Sequence, residues 1–490
     1  MNIVLINPPA YRQVEKYDLA SWQHLGIGRL SSYARQFGHE VTLIDAKLQR
    51  LKTEEILKLI VDKNPDIVGL TAMTPDIYNA YEIARAVKDI NKRIVTVIGG
   101  CHATVLPETT LREEPCLDYL VFGEGEKTLK ELIDAISGHA SIEVLSRIKG
   151  VVFRDGDKVV KNESRPWDTH IDELPLPDWR LYPYATHYML ETARGCPFRC
   201  NHCMRVLGDT VRHFSVANIM DEFKNIMRLK DKITMEIVDE TFTLDHKRIH
   251  ELLDGMIEIG VGKKVKWMCS TRANLVTKEL LEKMKKAGCY LICFGVESGN
   301  PRILKQSKKN IQLDDVVRAV KLCREAGIES FLSFILGHPD EKLEEMVDTI
   351  NFAVRSNPHV ASIGTMVPYP GTEIADMVTR GEGNYKLLSK NWTEYNRQFS
   401  YVLELNDISK CDMDKLQLVG TLKLYIFNWR FLDLAKFIYQ YRWEAVQFFK
   451  MIFFSNTDKS VKISPSRLSF PQVMRIFLSD IRKPYKRKQL

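Results

Sequence analysis

Cys196, Cys200 and Cys203, in the run Ala193-Arg-Gly-Cys-Pro-Phe-Arg-Cys-Asn-His-Cys203, are the residues of this chain best suited to chemistry. They are spaced C-x3-C-x2-C on a tight loop that follows a short apolar strand over 188–192. Three thiolates at this spacing can hold three irons of a [4Fe-4S] cluster. The fourth iron is then left open, as a reaction requires and a purely structural site avoids. The alternative is a zinc site. It needs a fourth ligand at metal-ligand spacing, and His202, between two of the cysteines, is expected to point away.

The elements around this loop alternate between strand and helix. Strand-like runs fall at 189–192, 234–238, 265–269, 291–295, 330–335 and 362–367, with helical patterns such as 278–287 and 313–326 between them. Right-handed crossovers and function at the carboxyl ends of the strands predict an open, partial (β/α)6 barrel. The second strand is followed by Asp239 and Glu240, the third by Arg272, and the fourth by Glu297 and Ser298 in Gly295-Val-Glu-Ser-Gly299. Gly337-His-Pro-Asp-Glu341 follows the fifth and Pro368-Tyr-Pro-Gly-Thr372 the sixth. Structural roles are open to two of these, since Arg272 can pair with Glu240 and Asp239 can cap a helix. Cys269, Cys289, Cys293 and Cys323 lie in strand or helix patterns and read as small buried hydrophobes.

A second alternation precedes the first. Runs at 3–6, 41–44, 67–70, 95–98 and 119–122, with helical patterns at 53–63 and 77–90, read as an amino-terminal doubly wound parallel sheet of the α/β class. Its ligands belong outside the carboxyl ends of the strands. The loops there are Asn7-Pro-Pro-Ala-Tyr11, Leu70-Thr-Ala-Met-Thr-Pro75, Gly99-Gly-Cys-His-Ala103 and Gly123-Glu-Gly-Glu126. No G-x-G-x-x-G follows the first strand, so a dinucleotide is not the expected ligand. The run 150–160 reads as a hairpin around Asp155-Gly156, and Leu174-Pro-Leu-Pro-Asp-Trp179 as an extended connector. The expected division is 1–140, a linker over 141–184, a barrel over 185–375 and a helical region over 376–490.

Bulk composition agrees with a multidomain globular chain. There are 490 residues, 45% hydrophobic and 27% charged, and no run approaches the ~20 apolar residues of a membrane span. Ten cysteines, in a chain opening on the strand-like Asn2-Ile-Val-Leu-Ile6, lead us to expect a reducing, cytoplasmic location. The net charge of +7 is uneven. Residues 416–490 carry 14 Lys/Arg against 4 Asp/Glu, so that tail is +10 and the rest about −3.

The cysteine loop, with Arg-Gly ahead of it and Pro after the first Cys, resembles the signature of the radical S-adenosylmethionine (radical SAM) family. There the open iron binds SAM, which is cleaved to a 5′-deoxyadenosyl radical. That resemblance makes Asp239, Glu240, Arg272, Glu297 and Ser298 candidate SAM contacts, with the Glu297-Ser298 run similar to the family's ribose and methionine contact. The segments Asp66-Ile-Val-Gly-Leu-Thr-Ala-Met73 and Val97-Ile-Gly-Gly100 resemble the cobalamin-binding domain of B12 enzymes. Thr71, Met73, Gly99 and Gly100 are the corresponding contacts, Met73 standing where Leu is usual. Paired glycines let a bulky ligand approach the backbone. The Asp-x-His-x-x-Gly run that supplies a lower cobalt ligand in B12 proteins is missing from the first loop. His102 is retained among the cofactor-side residues, as a hydrogen-bonding histidine in preference to a cobalt ligand. A domain of this fold that has lost cobalamin remains the alternative.

The resemblance covers about 370 residues and points to cobalamin-dependent radical SAM enzymes. It implies methylation of an unactivated carbon on a small or lipid-like substrate. The alternatives are radical oxidation or cyclisation, as in the anaerobic magnesium-protoporphyrin monomethyl ester cyclase group, and a non-enzymatic iron–sulfur electron carrier or sensor. An external donor such as flavodoxin or ferredoxin would supply electrons. The tail mixes aromatics with Arg and Lys, as in Leu424-Tyr-Ile-Phe-Asn-Trp-Arg-Phe-Leu432. It reads as core packing against the barrel or as peripheral contact with the inner membrane surface. Nucleic acid is not expected, because no recognition motif accompanies the charge.

Overall fold

The computed structural model describes residues 1–9, 22–182, 185–397, 400–440 and 465–479. The end of the first loop at 10–11, and 441–464 and 480–490 of the aromatic and basic tail, lie outside the described residues. The chain divides into two compact units. The first is residues 1–197, 204–269 and 286–288; the second is 198–203, 270–285 and 289–490.

The first unit contains a seven-stranded sheet. Its strands are β1 (Asn2–Asn7), β2 (Glu40–Asp45), β3 (Ile67–Thr71), β4 (Val95–Gly99), β5 (Tyr119–Val121), β6 (Val151–Asp155) and β7 (Lys158–Lys161), in the order β2-β1-β3-β4-β5-β6-β7. The first five are mutually parallel. The hairpin expected at 150–160 forms and is hydrogen-bonded antiparallel to β5, extending the sheet. Strand order reverses between β1 and β3. With right-handed crossovers, helix Leu25–Gln36 therefore covers one face, and helices Thr53–Lys63 and Ile77–Ile90 the other. Helix Gly125–Ser137 packs beside Leu25–Gln36. Alternate strand residues Ile3, Leu5, Val41, Ile67, Val97 and Val121 share one core with Ile27, Leu129 and Leu132 from those two helices, as a period of two requires.

Three more parallel strands belong to this unit, β8 (His187–Leu190), β11 (Ile233–Ile237) and, as far as Cys269, β12 (Val265–Thr271), paired β8-β11-β12. Between β8 and β11 the short strands β9 (Ala193–Arg194) and β10 (Arg212–His213) pair antiparallel. They close the neck of the cysteine loop.

The second unit carries three parallel strands, β13 (Cys289–Glu297), β14 (Glu329–Leu336) and β15 (Val360–Thr365). Helices Leu313–Ala326 and Leu343–Ser356 complete its β/α alternation. β16 (Tyr385–Leu387) and β17 (Leu403–Leu405) make a small antiparallel ribbon. The region then turns helical, with Lys410–Phe427, Phe431–Gln440 and Phe470–Phe477. Lys410–Phe427 packs on β15 and helix Leu343–Ser356, and buries Lys410, Asp412, Asp414, Lys415 and Lys423. Each of them is hydrogen-bonded, Lys415 to the Ser466 hydroxyl. Lys410 pairs with Asp414, while Asp412 accepts from the backbone of Arg467 and Leu468. Lys423 donates to the carbonyls of Ile476 and Ser479 at the end of the last helix, where a cation suits the helix dipole. Trp429, Leu432 and Tyr439 remain 73–82% exposed.

Candidate functional site

At the carboxyl end of the first sheet lies a cavity of about 310 Å³. Its lining includes Thr71, Met73, Gly99 and Gly100, together with Gly26, Ile27 and Leu30 of the covering helix. It opens at the strand-order reversal, where an open α/β sheet leaves a crevice. Gly100 has φ +94°, and a Cβ there would stand 2.5 Å from Thr71 Oγ1 and 3.0 Å from the Ala72 nitrogen. A slot walled by backbone and small apolar side chains fits the nucleotide tail of a corrin. Met73 is 54% exposed at its mouth. His102 does not line the cavity. It is fully buried behind it, with Nδ1 3.3 Å from Thr74 Oγ1, and burial lowers its imidazole to about 4.

The inner wall of this cavity is ionic. Glu124, Glu126, Glu191, Arg29 and Arg194 all contribute to it. Arg194, two residues before Cys196, reaches Glu124 (3.1 Å), Glu126 (2.7 Å) and Glu191 (2.8 Å). Arg212, its partner across β9 and β10, reaches Glu124 at 2.7 Å. Arg29 lies 2.6 Å from Glu191 and 3.6 Å from Glu222. Burial works to raise both glutamates. At Glu191, Arg194 and Arg29 outweigh it and hold the carboxyl at about 2. At Glu222, burial wins and the carboxyl is pushed up to about 7, because Arg29 is nearer to Glu191 and the Glu191 charge adds to the penalty.

None of the ten cysteines forms a disulfide. Cys196 and Cys200 are half-buried and Cys203 is exposed. Among the described residues no three His, Cys, Asp or Glu side chains converge as ligands of a single ion do. Three thiolates of one loop nevertheless have the donor chemistry of an iron–sulfur cluster, whose irons are spread over the corners of a cube. Gly195 shapes the neck, since φ is +95° and a Cβ would stand 2.3 Å from the Thr210 carbonyl. Cys196 Sγ lies 3.8 Å from Thr241 Oγ1, which follows Asp239 and the exposed Glu240. Asp239 is buried and accepts from the backbone of Thr192 (2.6 Å) and Ala193 (3.1 Å), so it fixes the start of the loop. Burial raises its carboxyl to about 7 against those bonds. The next helix is capped by Asp245 instead.

In the second unit, Glu297 ends β13 with φ +74°, a left-handed conformation that is strained for a side-chain-bearing residue. Its Oε1 lies 3.1 Å from Lys309 Nζ and 3.7 Å from His202 Nε2. Its Oε2 is buried without a hydrogen-bond partner among the described residues. Burial opposes ionisation, but Lys309 and His202 outweigh it and hold the carboxyl well below the usual range. A Cβ on Gly295 would stand 2.6 Å from Glu297 Oε1 and 2.9 Å from Lys309 Nζ, so a side chain there would displace the ends of this pair. A buried, ionised, half-satisfied carboxylate suits the ammonium of an amino-acid ligand. Ser298 Oγ lies 3.0 Å from Thr349 Oγ1 and accepts from the Asn300 nitrogen. Arg272 stacks on Phe198, 3.8 Å from the ring centroid, and donates to the Lys309 and Asn310 carbonyls.

Around Glu297, sequence reasoning missed Lys309 and read His202 only as pointing away from a metal, while His338 was visible in the Gly337-His-Pro-Asp-Glu341 loop without its partner. It also missed the Glu124–Glu126–Arg194–Arg212 network. His338 Nε2 lies 3.5 Å from the Glu297 carbonyl. A double lysine at 308–309 reads as a solvated charge run. The Gly123-Glu-Gly-Glu126 loop was visible, without its partners.

A B12 binding domain model matches residues 19–133, and a Radical SAM superfamily model matches 190–353. An uncharacterized methyltransferase of Pyrococcus horikoshii is 34% identical over 435 residues, covering 87% of this chain and 93% of that protein. The anaerobic magnesium-protoporphyrin IX monomethyl ester cyclase of Cereibacter sphaeroides is 29% identical over 388 residues, covering 76% and 63%. Among solved structures, the cobalamin-dependent SAM radical enzyme OxsB, with aqua-cobalamin and SAM bound, gives a TM-score of 0.70 at 21% identity, covering 86% of this chain and 66% of that one. The radical SAM methyltransferase TsrM of Kitasatospora setae gives 0.68 at 16%, covering 82% and 84%. With both domain models matched and a relative above 30% identity along nearly its whole length, the chain belongs to the radical SAM superfamily, in the group that carries an amino-terminal B12-binding domain.

Proposed function

We propose that this chain transfers a methyl group to an unactivated carbon of a small or lipid-like substrate. The observation that carries this reading is the 34% identity to a protein named a methyltransferase. It is supported by a cavity whose lining includes the expected corrin contacts. When bound, the cluster with SAM supplies a 5′-deoxyadenosyl radical and the corrin carries the methyl group. The chain's own residues bind and orient. Cys196, Cys200 and Cys203 ligate the cluster. In the second unit Glu297 receives the ammonium of SAM on its unpartnered oxygen, with Ser298 and Arg272 as further SAM contacts. Asp239 and Glu240 are the SAM-side candidates of the first unit, where Asp239 holds the start of the cysteine loop. Thr71, Met73, Gly99 and Gly100 receive the corrin tail, with His102 supporting the wall. An external donor such as flavodoxin or ferredoxin reduces the cluster.

The test is anaerobic reconstitution with iron, sulfide, hydroxocobalamin, SAM and a strong reductant. Methyl transfer requires corrin-dependent S-adenosylhomocysteine together with 5′-deoxyadenosine. The second reading, radical cyclisation or oxidation, is favoured by the cyclase relative and would give 5′-deoxyadenosine without S-adenosylhomocysteine. A carrier or sensor would make neither.

Trp429, Leu432 and Tyr439, exposed within a tail of charge +10, support peripheral contact with anionic membrane and access to a poorly soluble substrate. Among the described residues no helix is long and apolar enough to cross a membrane. Flotation with anionic vesicles should be salt-sensitive, each basic residue contributing on the order of 1 kcal/mol. Indifference to the vesicles at low salt would end this part of the reading.

A further inference from the structure

The ionic wall of the cavity reaches the neck of the cysteine loop through a short chain of contacts. Glu124 and Glu126 flank Gly125 on the turn after β5, and all three line the cavity. Glu124 accepts from Arg194 (3.1 Å), Arg212 (2.7 Å) and, through Oε2, the Asp168 nitrogen (2.9 Å). Arg194 and Arg212 are register partners across β9 and β10, so one carboxylate holds both sides of the neck. Cys196 lies two residues beyond Arg194, its nitrogen bonded to the Gly208 carbonyl at 3.2 Å. Arg194 and Arg212 are no more than 6% exposed. Buried ion networks of this kind add little net stability, yet they are costly to break and so hold one geometry.

We propose that Glu124 and Glu126, acting through Arg194 and Arg212, are positioning residues that couple occupancy of the corrin cavity to the seating of the cysteine loop. A ligand entering the cavity touches the Glu124–Glu126 turn and Arg194 directly. Displacing that turn would move both arginines at the neck. By linkage the effect is reciprocal, so a loop fixed by its cluster holds the cavity wall in the corrin-binding arrangement. This rests on the reading that both cofactors bind.

The experiment measures hydroxocobalamin affinity by equilibrium dialysis on the full-length protein, with and without the reconstituted cluster. In the wild type the cluster should tighten corrin binding about fivefold or more, the lower end of ordinary allosteric coupling. In Glu124→Gln, which keeps the shape but removes the shared charge, that factor should fall toward one, whatever the change in the corrin affinity of the cluster-free protein. Should Glu124→Gln fail to fold, Glu126→Gln removes only one of the three carboxylate contacts of Arg194, and its factor should fall below the wild-type value. An undiminished factor in the folded variant, or a factor of one in the wild type, would overturn the coupling. A wild type that binds no corrin in either form would overturn the cofactor reading, and the coupling with it.

Discussion

Lys309 Nζ lies 3.1 Å from Glu297 Oε1, with both side chains buried, and that pair sets the charge of the proposed SAM-binding carboxylate. Lys309→Met removes the nearer of the two cationic partners of Glu297 and leaves only His202 at 3.7 Å, so it should cost up to about 3–5 kcal/mol of stability. Denaturant unfolding should show that loss, and the double variant Lys309→Met/Glu297→Gln should recover much of it. SAM binding should fall in Lys309→Met and in Glu297→Gln. A Lys309→Met protein as stable as the wild type would mean that the pair is not a buried one in solution.

The cysteine assignment has a direct chemical test. Replacing Cys196, Cys200 and Cys203 with alanine should abolish the brown absorbance and 5′-deoxyadenosine formation. Cys269, Cys289 and Cys323 are buried, and burial, with Cys289 nearby, pushes the Cys323 thiol up to about 12. A thiol held protonated is a poor iron ligand. Retention of about four irons in the triple variant would therefore refute the assignment.

Gly100→Ala should separate corrin binding from the rest of the fold. The new methyl meets Thr71 Oγ1 at 2.5 Å and the Ala72 nitrogen at 3.0 Å, with φ at +94°. Left-handed strain costs about 1–3 kcal/mol, and the methyl also closes the slot. Hydroxocobalamin titration should show binding lost or greatly weakened, while iron content after reconstitution stays at the wild-type level. Unchanged corrin affinity would remove Gly100 from the site.

What the sequence makes legible follows from what is local. The strands of both sheets show as short apolar runs between helical patterns, as strands buried on both faces do, and the Gly99-Gly100 pair and the cysteine loop as short motifs. The ion network is invisible there because Glu124 and Arg194 are 70 residues apart and no local period links them. Helix Lys410–Phe427 misleads for a related reason. Its lysines and aspartates suggest an exposed face, yet five of them are buried, their partners coming from the helix itself, Ser466–Leu468 and the last helix. Glu297 looks like a loop residue by position but is the bulged end of β13, opposite Phe334 of β14.

Glu222 gives a pH prediction with a definite sign. Its carboxyl is raised from 4.5 to about 7 in the fold, by burial first. Between those values the folded protein holds a proton that the unfolded chain has released, so stability falls as pH rises through that window. Below it the contribution is fully present. Glu222→Gln cannot lose the proton, and its stability should decline less from pH 5 to pH 7 than that of the wild type. Parallel pH profiles for the two proteins would show that Glu222 is ionised in the fold.

His102 decides whether the protein supplies an axial nitrogen to the corrin. Its ring is fully buried, bonded to Thr74 through Nδ1 and absent from the cavity lining, while its neighbours Cys101 and Thr104 are part of that lining. To reach a ligand in the cavity it would have to leave that bond and turn past the backbone that carries Cys101. Cob(II)alamin bound to the wild type should therefore show no nitrogen hyperfine splitting in its EPR spectrum, and His102→Gln should give the same spectrum. The variant should instead affect the wall, with corrin affinity lowered modestly through Thr74 and Ala72. Nitrogen splitting present in the wild type and lost in His102→Gln would make His102 a cobalt ligand.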